Sequence, residues 1–123
     1  NIGLILQLEA HQKRFLFAGD CSYCKMKNLV NDNREYDFVV SSHHGAASAV
    51  KKGDNCLAPQ AHEGAKAVIS VGANTHRHPH IEHLAVLQKA GFEILYTAGY
   101  QKIDFSLSEN GELNVNPIPY NLK

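Results

Sequence analysis

The sequence has no excess of charge of either sign, because 12 Lys and Arg residues are balanced by 12 Asp and Glu residues. A neutral chain creates no overall field that would draw it to nucleic acid or to a membrane surface. No apolar run approaches the ~20 residues of a membrane-spanning helix, and no signal peptide is visible. A glycine-rich phosphate loop and a Gly-x-Ser-x-Gly elbow are also absent. We therefore expect no membrane segment in this chain.

Cysteine is scarce and odd in number, at 3 residues, which argues against a secreted disulfide framework and favours a reduced, cytoplasmic-type compartment. The length of 123 residues predicts one domain with a modest core. The chain starts with Asn1 and enters a strand-like run at once. We therefore expect residues 1–123 to be the later, C-terminal part of a larger domain, or a fragment or processed product.

Apolar runs alternate with helical patterns along the chain. Strands are predicted over residues 2–9, 14–19, 36–42, 66–72 and 92–97, with a closing hairpin of 102–108 and 112–115 around Glu109-Asn110-Gly111. A long loop with room for one short helix is expected over 45–65. This order predicts an α/β fold in which helices cover a sheet.

Two helices are predicted between these strands. The first covers about 21–31, with Asp20 as its N-cap and Met26, Leu29 and Val30 facing inward. The second has Pro79 at its first position and stops at Gly91; its apolar residues Ile81, Leu84, Ala85 and Leu87 have helical spacing.

Potential metal ligands follow three of the predicted strands. Asp20 ends the run Phe15–Gly19, the segment Ser41-Ser42-His43-His44-Gly45-Ala46 follows Tyr36–Val40, and His78-Pro79-His80 follows Ala67–Gly72. Imidazole and carboxylate groups at the rim of a sheet are typical of metal or phosphate chemistry. We expect Asp20 and the histidines to converge on one rim and hold a cation there.

Each of these groups has a second interpretation. Asp20 either bridges two divalent cations or simply caps a helix. In the His43-His44 pair, one histidine is expected to bind metal and the other to contact substrate or an outer-sphere partner. The alternative is that both histidines are capping or solvent-facing.

The loop Asn74-Thr75-His76-Arg77-His78-Pro79-His80 leads into a helix, where free backbone N–H groups favour an anion such as phosphate. Arg77 fits forked pairing with phosphate oxygens. His80 and His83 lie three residues apart and are expected on one helical face. The alternative is a polar loop with incidental histidines.

The segment Cys21-Ser22-Tyr23-Cys24 lies where a thioredoxin-like redox pair would be placed, after a strand and at a helix start. The Trp and Gly-Pro typical of that motif are missing. The alternative is a pair of helical cysteines, one of them packed inside.

From Asn1 to about Gly99 the sequence resembles the later half of a metallo-β-lactamase-fold domain of the ComEC type, the hydrolase domain of DNA-uptake proteins and their soluble relatives. The resemblance rests on Leu4–Leu8, on Arg14-Phe15-Leu16-Phe17-Ala18-Gly19-Asp20 and on Phe38-Val39-Val40-Ser41-Ser42-His43-His44-Gly45. It continues in Ala67–Gly72 and in Asn74-x-x-x-His78-Pro79-His80.

The resemblance implies half of a four-layer αββα sandwich and a metal-dependent hydrolase, phosphoesterase or nuclease-like. The implied metal is divalent, zinc or alternatively manganese, and its ligands are Asp20, His43 and His44. Catalytic roles are implied for Asp20, His44 and His80, and substrate contacts for Asn74, Arg77, His78 and His80. The substrate is a phosphoester, with nucleic acid as a candidate.

The sequence also departs from that family. Its main metal motif, His-x-His-x-Asp-His, is absent, and Ala46-Ala47-Ser48 replaces the usual hydroxyl-rich continuation after the histidine pair. The remaining ligands are too few for a two-metal centre. We therefore expect either a missing N-terminal half or partner chain that completes the site, or a noncatalytic interaction or regulatory domain. Alone, the chain should expose an apolar sheet face and edge.

Overall fold

The computed structural model describes residues 4–27, 35–50, 59–72 and 78–120 of the chain, which form a mixed α/β fold. The order of elements is β1 (Leu6–Ala10), β2 (Lys13–Phe17), α1 (Tyr23–Lys27), β3 (Glu35–Val40), two tight turns (Ser42–Gly45 and Ala47–Ala49), β4 (Gln60–Ile69), α2 (Ile81–Ala90), β5 (Glu93–Tyr96), β6 (Tyr100–Leu107) and β7 (Leu113–Pro119).

Five strands form one sheet in the order β1-β2-β3-β4-β5, and β6 pairs with β7 in a separate two-stranded sheet. The first pair is an antiparallel hairpin, whereas β2, β3, β4 and β5 run parallel. Parallel neighbours bring their carboxyl ends to the same edge of the sheet. The segments that follow β2, β3 and β4 therefore leave the sheet at one edge, which we call the carboxyl edge.

The two faces of the five-stranded sheet are covered by different elements. One face carries Leu16, Val39 and Ile69, which pack with Met26 of α1 and Leu87 of α2. The opposite face is centred on Phe15, Phe38 and Val68, against which the β6–β7 hairpin packs residues such as Ile103 and Val115. The alternation of facing residues along β2, β3 and β4 explains why these strands read as continuous apolar runs. The two described helices, α1 and α2, thus pack on the same face of the sheet.

The apolar face extends beyond the hairpin onto the edge strand β1. Leu6 is paired with Phe17 and Leu8 with Phe15, which places these leucines on the hairpin side of the sheet. Leu4, Leu6 and Leu8 are 84%, 44% and 46% exposed. The sequence predicts an exposed apolar sheet face and edge; the β6–β7 hairpin covers most of that face, and the exposed leucines lie at its β1 edge. Among the described residues, no helix is long and apolar enough to cross a membrane.

Several predicted elements need correction. The first helix begins at Tyr23, and Ser22 occupies the capping position, with its Oγ accepting from the Lys25 backbone N–H at 3.4 Å. The interpretation of Asp20 as the N-cap is therefore wrong. Leu29 and Val30 lie outside the described residues, whereas Met26 is buried as predicted.

The second helix also begins later than predicted. It starts at Ile81 with His80 as its N-cap, so Pro79 lies before the helix rather than at its first position. The predicted stop at Gly91 is confirmed.

The strand predicted over 66–72 instead begins at Gln60, inside the segment predicted to be a loop. A break in register explains the difference, because Tyr36 pairs with Ala61 while Phe38 pairs with Lys66. The residues between them bulge out of the ladder, which hides the strand from an apolar-pattern search.

Candidate functional site

Backbone hydrogen bonds hold the loops of the carboxyl edge together. The His43 N–H donates to the Gly19 carbonyl at 2.8 Å, which joins the segment after β3 to the one after β2. The His80 N–H donates to the Gly45 carbonyl, also at 2.8 Å, which joins the segment after β4. The predicted convergence of these three loops is therefore confirmed at the level of the backbone.

The histidine pair adopts an unusual backbone conformation. His43 and His44 have φ angles of 49° and 55°, and Gly45 follows with 81°. Two successive non-glycine residues in the left-handed region cost ~1–2 kcal/mol each, and such conformations persist only where surrounding contacts impose them. One contact is the close approach of Pro79 to Gly45, where a Cβ on Gly45 would lie 2.5 Å from the Pro79 Cβ.

The exposed His44 has a fixed ring orientation. Its Nδ1 lies 2.7 Å from the Ser70 carbonyl oxygen at the end of β4. A carbonyl only accepts, so Nδ1 carries the proton and Nε2 presents its lone pair. A backbone carbonyl that holds one ring nitrogen in this way is the usual partner of a histidine whose other nitrogen binds metal.

His43 and His78 are brought together across the edge. Their ring centroids lie 5.8 Å apart in an edge-on arrangement, and both residues are half-buried. These two residues are 35 positions apart in the sequence. The structure thus places an imidazole of the His78-Pro79-His80 loop beside the histidine pair, as predicted.

His80 serves partly as a helix cap. Its Nδ1 accepts a hydrogen bond from the Glu82 N–H at 3.2 Å, so a neutral ring carries its proton on Nε2. This capping bond and the acidic Glu82 in the first turn leave the α2 N-terminus less suited to an anion than the sequence suggested. Asn74 and Arg77, predicted to contact substrate, lie outside the described residues.

The predicted metal ligands are only partly assembled. Asp20 is exposed, and the hydrogen bond from His43 to Gly19 places its loop beside the histidine pair. Even so, the described residues contain no group of three or more His, Cys, Asp or Glu side chains that could hold a metal ion. Zinc sites take three or four protein ligands. The described residues thus do not form a complete metal site.

The sequence predicts His80 and His83 on one helical face; His80 is the N-cap of α2, and in the first turn of that helix lies His83. The side chain is completely buried, with Nε2 2.9 Å from the Tyr23 hydroxyl and Nδ1 2.9 Å from the Ala46 carbonyl. Burial lowers the pKa of His83, helped by the charge of His78 and opposed by the Ala46 hydrogen bond. Burial likewise raises the pKa of the Tyr23 phenol, which the Ser42 hydrogen bond opposes.

Two other buried groups lie near the edge. The Ser41 hydroxyl is buried and, within the described ranges, is the one such side-chain polar atom without a hydrogen-bond partner. A hydroxyl in this state is typical of a position next to bound water or ligand. Cys21 is fully buried and has a free thiol, which is not the exposed, activated thiol that redox chemistry needs.

The opposite, amino edge of the sheet carries a second carboxylate–imidazole pair. Asp37 is buried beside the register break, accepts from the Arg14 backbone N–H at 2.9 Å and lies 3.1 Å from His62 Nδ1. An open groove of about 730 Å³ borders this pair. The sequence patterns did not single out either residue, since the pairing depends on the bulge in β4.

Comparisons of the chain with protein-family models, with curated proteins and with solved structures found no match.

Proposed function

We propose that the carboxyl edge is part of a metal-dependent hydrolase centre that acts on a phosphoester, with nucleic acid as a candidate substrate. Zinc is the first candidate metal and manganese the second. The observation that carries this proposal is the geometry of His44, an exposed residue whose Nδ1 lies 2.7 Å from a backbone carbonyl, so that in the neutral ring Nε2 has a lone pair for a ligand. The strained backbone of the histidine pair gives further support, because such strain is concentrated at functional sites.

Each residue of the edge has a proposed task. His44 Nε2 would bind the metal, and the exposed Asp20 carboxylate on the adjoining loop would provide a second ligand. His43 lies beside His78, so it belongs either to the metal set or to the substrate-facing group. A divalent metal bound there would stabilise negative charge on the phosphoryl group.

His80 is suited to proton transfer. Because its Nδ1 accepts from the Glu82 N–H, the proton of the neutral ring sits on Nε2 and can be donated to a leaving oxygen. Asn74 and Arg77 keep their proposed role as substrate contacts on the basis of the sequence.

A complete centre needs ligands beyond the described residues. We propose that the N-terminal half of a metallo-β-lactamase-like domain, or a partner chain, supplies them. The exposed leucines of β1 support this, because they continue the apolar face on which the β6–β7 hairpin lies. Further strands packed there would complete the four-layer αββα sandwich that the sequence resemblance implies. The cytoplasm remains the proposed compartment.

The proposal is tested by metal content and phosphodiesterase activity of the complete protein. We expect stoichiometric zinc or manganese and hydrolysis of a chromogenic phosphodiester, with both lost in His44→Ala and Asp20→Ala. His62→Ala is the matched control, because this histidine lies at the opposite edge of the sheet and should leave both readouts unchanged. If His44→Ala and Asp20→Ala behave like His62→Ala, the proposal fails.

The second candidate is a noncatalytic interaction or regulatory domain that retains the fold. The lack of a three-ligand group among the described residues favours it. The same experiment distinguishes the two candidates, because a noncatalytic domain would bind no stoichiometric metal in the wild-type protein. A redox role for Cys21 and Cys24 is the weakest candidate because Cys21 is buried; thiol titration showing two unreactive cysteines would eliminate it.

A further inference from the structure

A buried chain of hydrogen bonds holds both ends of the segment His43-His44-Gly45, which we call the histidine turn. The Ser42 N–H, directly before the turn, donates to the Tyr23 hydroxyl at 3.2 Å. The Ala46 carbonyl, directly after it, lies 2.9 Å from His83 Nδ1. Tyr23 and His83 in turn contact each other at 2.9 Å. The two ends of the turn are therefore tied together through a single pair of side chains.

The proton positions in this chain follow from the groups involved. The Ala46 carbonyl can only accept, so His83 donates from Nδ1 and its Nε2 is the acceptor in the neutral ring. The Tyr23 hydroxyl then donates to Nε2 while it accepts from the Ser42 N–H. Every donor in the chain thus has one acceptor, which is the condition under which a buried polar network specifies a single geometry.

The pair comes from two helices that do not belong to the turn. Tyr23 opens α1 and His83 lies in the first turn of α2, and their rings pack edge-on with centroids 5.3 Å apart. Both side chains are buried, at 3% and 0% exposure. The two helices therefore fix the position of the turn, together with strand β3, which leads into it.

We propose that Tyr23 and His83 are positioning residues, which together impose the left-handed conformation of His43 and His44. The inference rests on the proposed function in one respect, namely what the conformation is for. We infer that it directs the His44 imidazole outward, where it can bind a metal. The geometry itself is a property of the metal-free chain and is measured without metal.

The test compares two tyrosines of the same core cluster. Tyr23→Phe removes the hydroxyl that accepts from Ser42, whereas Tyr36→Phe removes a buried hydroxyl that donates to Gln7 of β1 at 3.3 Å. The first readout is the set of ¹³Cα and ¹³Cβ chemical shifts of His43 and His44 in the complete metal-free protein, since these shifts report the sign of φ. The second is the Kd for zinc, measured with a competing chelator.

We expect Tyr23→Phe to move the His43 and His44 shifts away from left-handed values and to weaken zinc binding about tenfold, the lower end of the loss when a group that orients a metal ligand is removed. Tyr36→Phe should change neither readout. Unchanged shifts in Tyr23→Phe, or equal changes in both variants, would overturn the inference. If the wild-type protein binds no zinc, the proposed function fails, while the shift comparison still decides the positioning role.

A second variant, His83→Leu, tests the same positioning role independently of Tyr23→Phe. His83→Leu removes both hydrogen bonds of the imidazole at similar volume, and it should move the same His43 and His44 shifts in the same direction as Tyr23→Phe. Shift changes of opposite direction in the two variants would contradict a shared positioning role.

Discussion

The two edges of the five-stranded sheet each bring histidine and aspartate together, yet they use them differently. At the amino edge, Asp37 is buried, and its carboxylate accepts a hydrogen bond from the Arg14 backbone N–H and lies next to His62 Nδ1. At the carboxyl edge, the ring of His44 is held by a backbone carbonyl, and the nearby Asp20 is exposed. One edge engages its carboxylate within the protein, and the other presents its groups outward.

This contrast shows that residue type alone does not identify a candidate site. Both His62 and His44 are held at Nδ1, by a carboxylate at 3.1 Å and by a carbonyl at 2.7 Å, so the edges differ in their carboxylates: Asp37 is buried and engaged, whereas Asp20 is exposed. The three predictions that follow probe this difference.

The largest expected effect comes from adding one methyl group at Gly45. A Cβ there would lie 2.5 Å from the Pro79 Cβ, and the residue has a φ of +81°, so Gly45→Ala combines a clash with a strained backbone. We expect a loss of about 3 kcal/mol in the free energy of unfolding, measured by urea denaturation. Gly64→Ala is the control at the amino edge.

Gly64 has nearly the same φ, +79°, but nothing lies within 4 Å of a Cβ built on it. Its substitution should therefore cost only the conformational strain, about 1 kcal/mol. Equal losses in the free energy of unfolding for the two variants would mean that the contact of Pro79 with Gly45 does not contribute to the cost.

An intermediate effect is expected at the amino edge. Asp37→Asn keeps the shape of the side chain but removes the charge that accepts from Arg14 and faces His62. Hydrogen bonds to a buried charged group contribute about 1.5–3 kcal/mol, so we expect a loss of that size in urea denaturation. Metal content and activity should be unchanged.

The control for this variant is Asp104→Asn on β6. The Asp104 carboxylate is 56% exposed and pairs with Lys102 at 3.3 Å, so its loss should change stability by less than about 1 kcal/mol. A comparable loss in the two variants would contradict the view that the amino edge depends on a buried charge.

The smallest effect is a pH dependence at the carboxyl edge. The pKa of His83 is lowered in the folded protein from about 6.5 in the unfolded chain, so the unfolded state binds more protons between the two values. The stabilisation from neutral His83 is therefore complete above pH 6.5 and falls on acidification at up to ~1.4 kcal/mol per pH unit, until the folded pKa is passed.

This dependence is measured as the difference between urea denaturation of the wild-type protein and of His83→Leu from pH 5 to pH 8. The difference should shrink as the pH falls, because the variant has no imidazole to protonate. A difference that stays constant over this range would show that His83 does not remain neutral in the folded state.

The sequence predicted much of the framework because apolar runs report burial directly. Continuous runs such as Phe15–Phe17 and Phe38–Val40 correspond to strands buried on both faces, and Gly91 ends the second helix as predicted. Parallel strands then bring their following loops to one edge, which is why the convergence of three distant segments could be anticipated.

The parts that were missed depend on contacts between distant segments. The tight packing of Gly45 depends on the proline of another loop, and the burial of His83 requires the Tyr23 hydroxyl and the Ala46 carbonyl as partners. A helical pattern cannot distinguish a histidine with such partners from an exposed one. Likewise, the bulge in β4 removes the alternation that would have revealed the strand.

The packing of Phe105 has a consequence for how the protein is made on the ribosome. Its ring lies 6.1 Å from that of Phe15 and 4.4 Å from that of Phe38, so the last hairpin covers aromatic groups of the first strands. At translation rates of 5–20 residues per second, the ring of Phe15 waits roughly 5–20 s for this cover. During that interval the Phe15 ring lacks the aromatic neighbour that Phe105 provides in the folded protein.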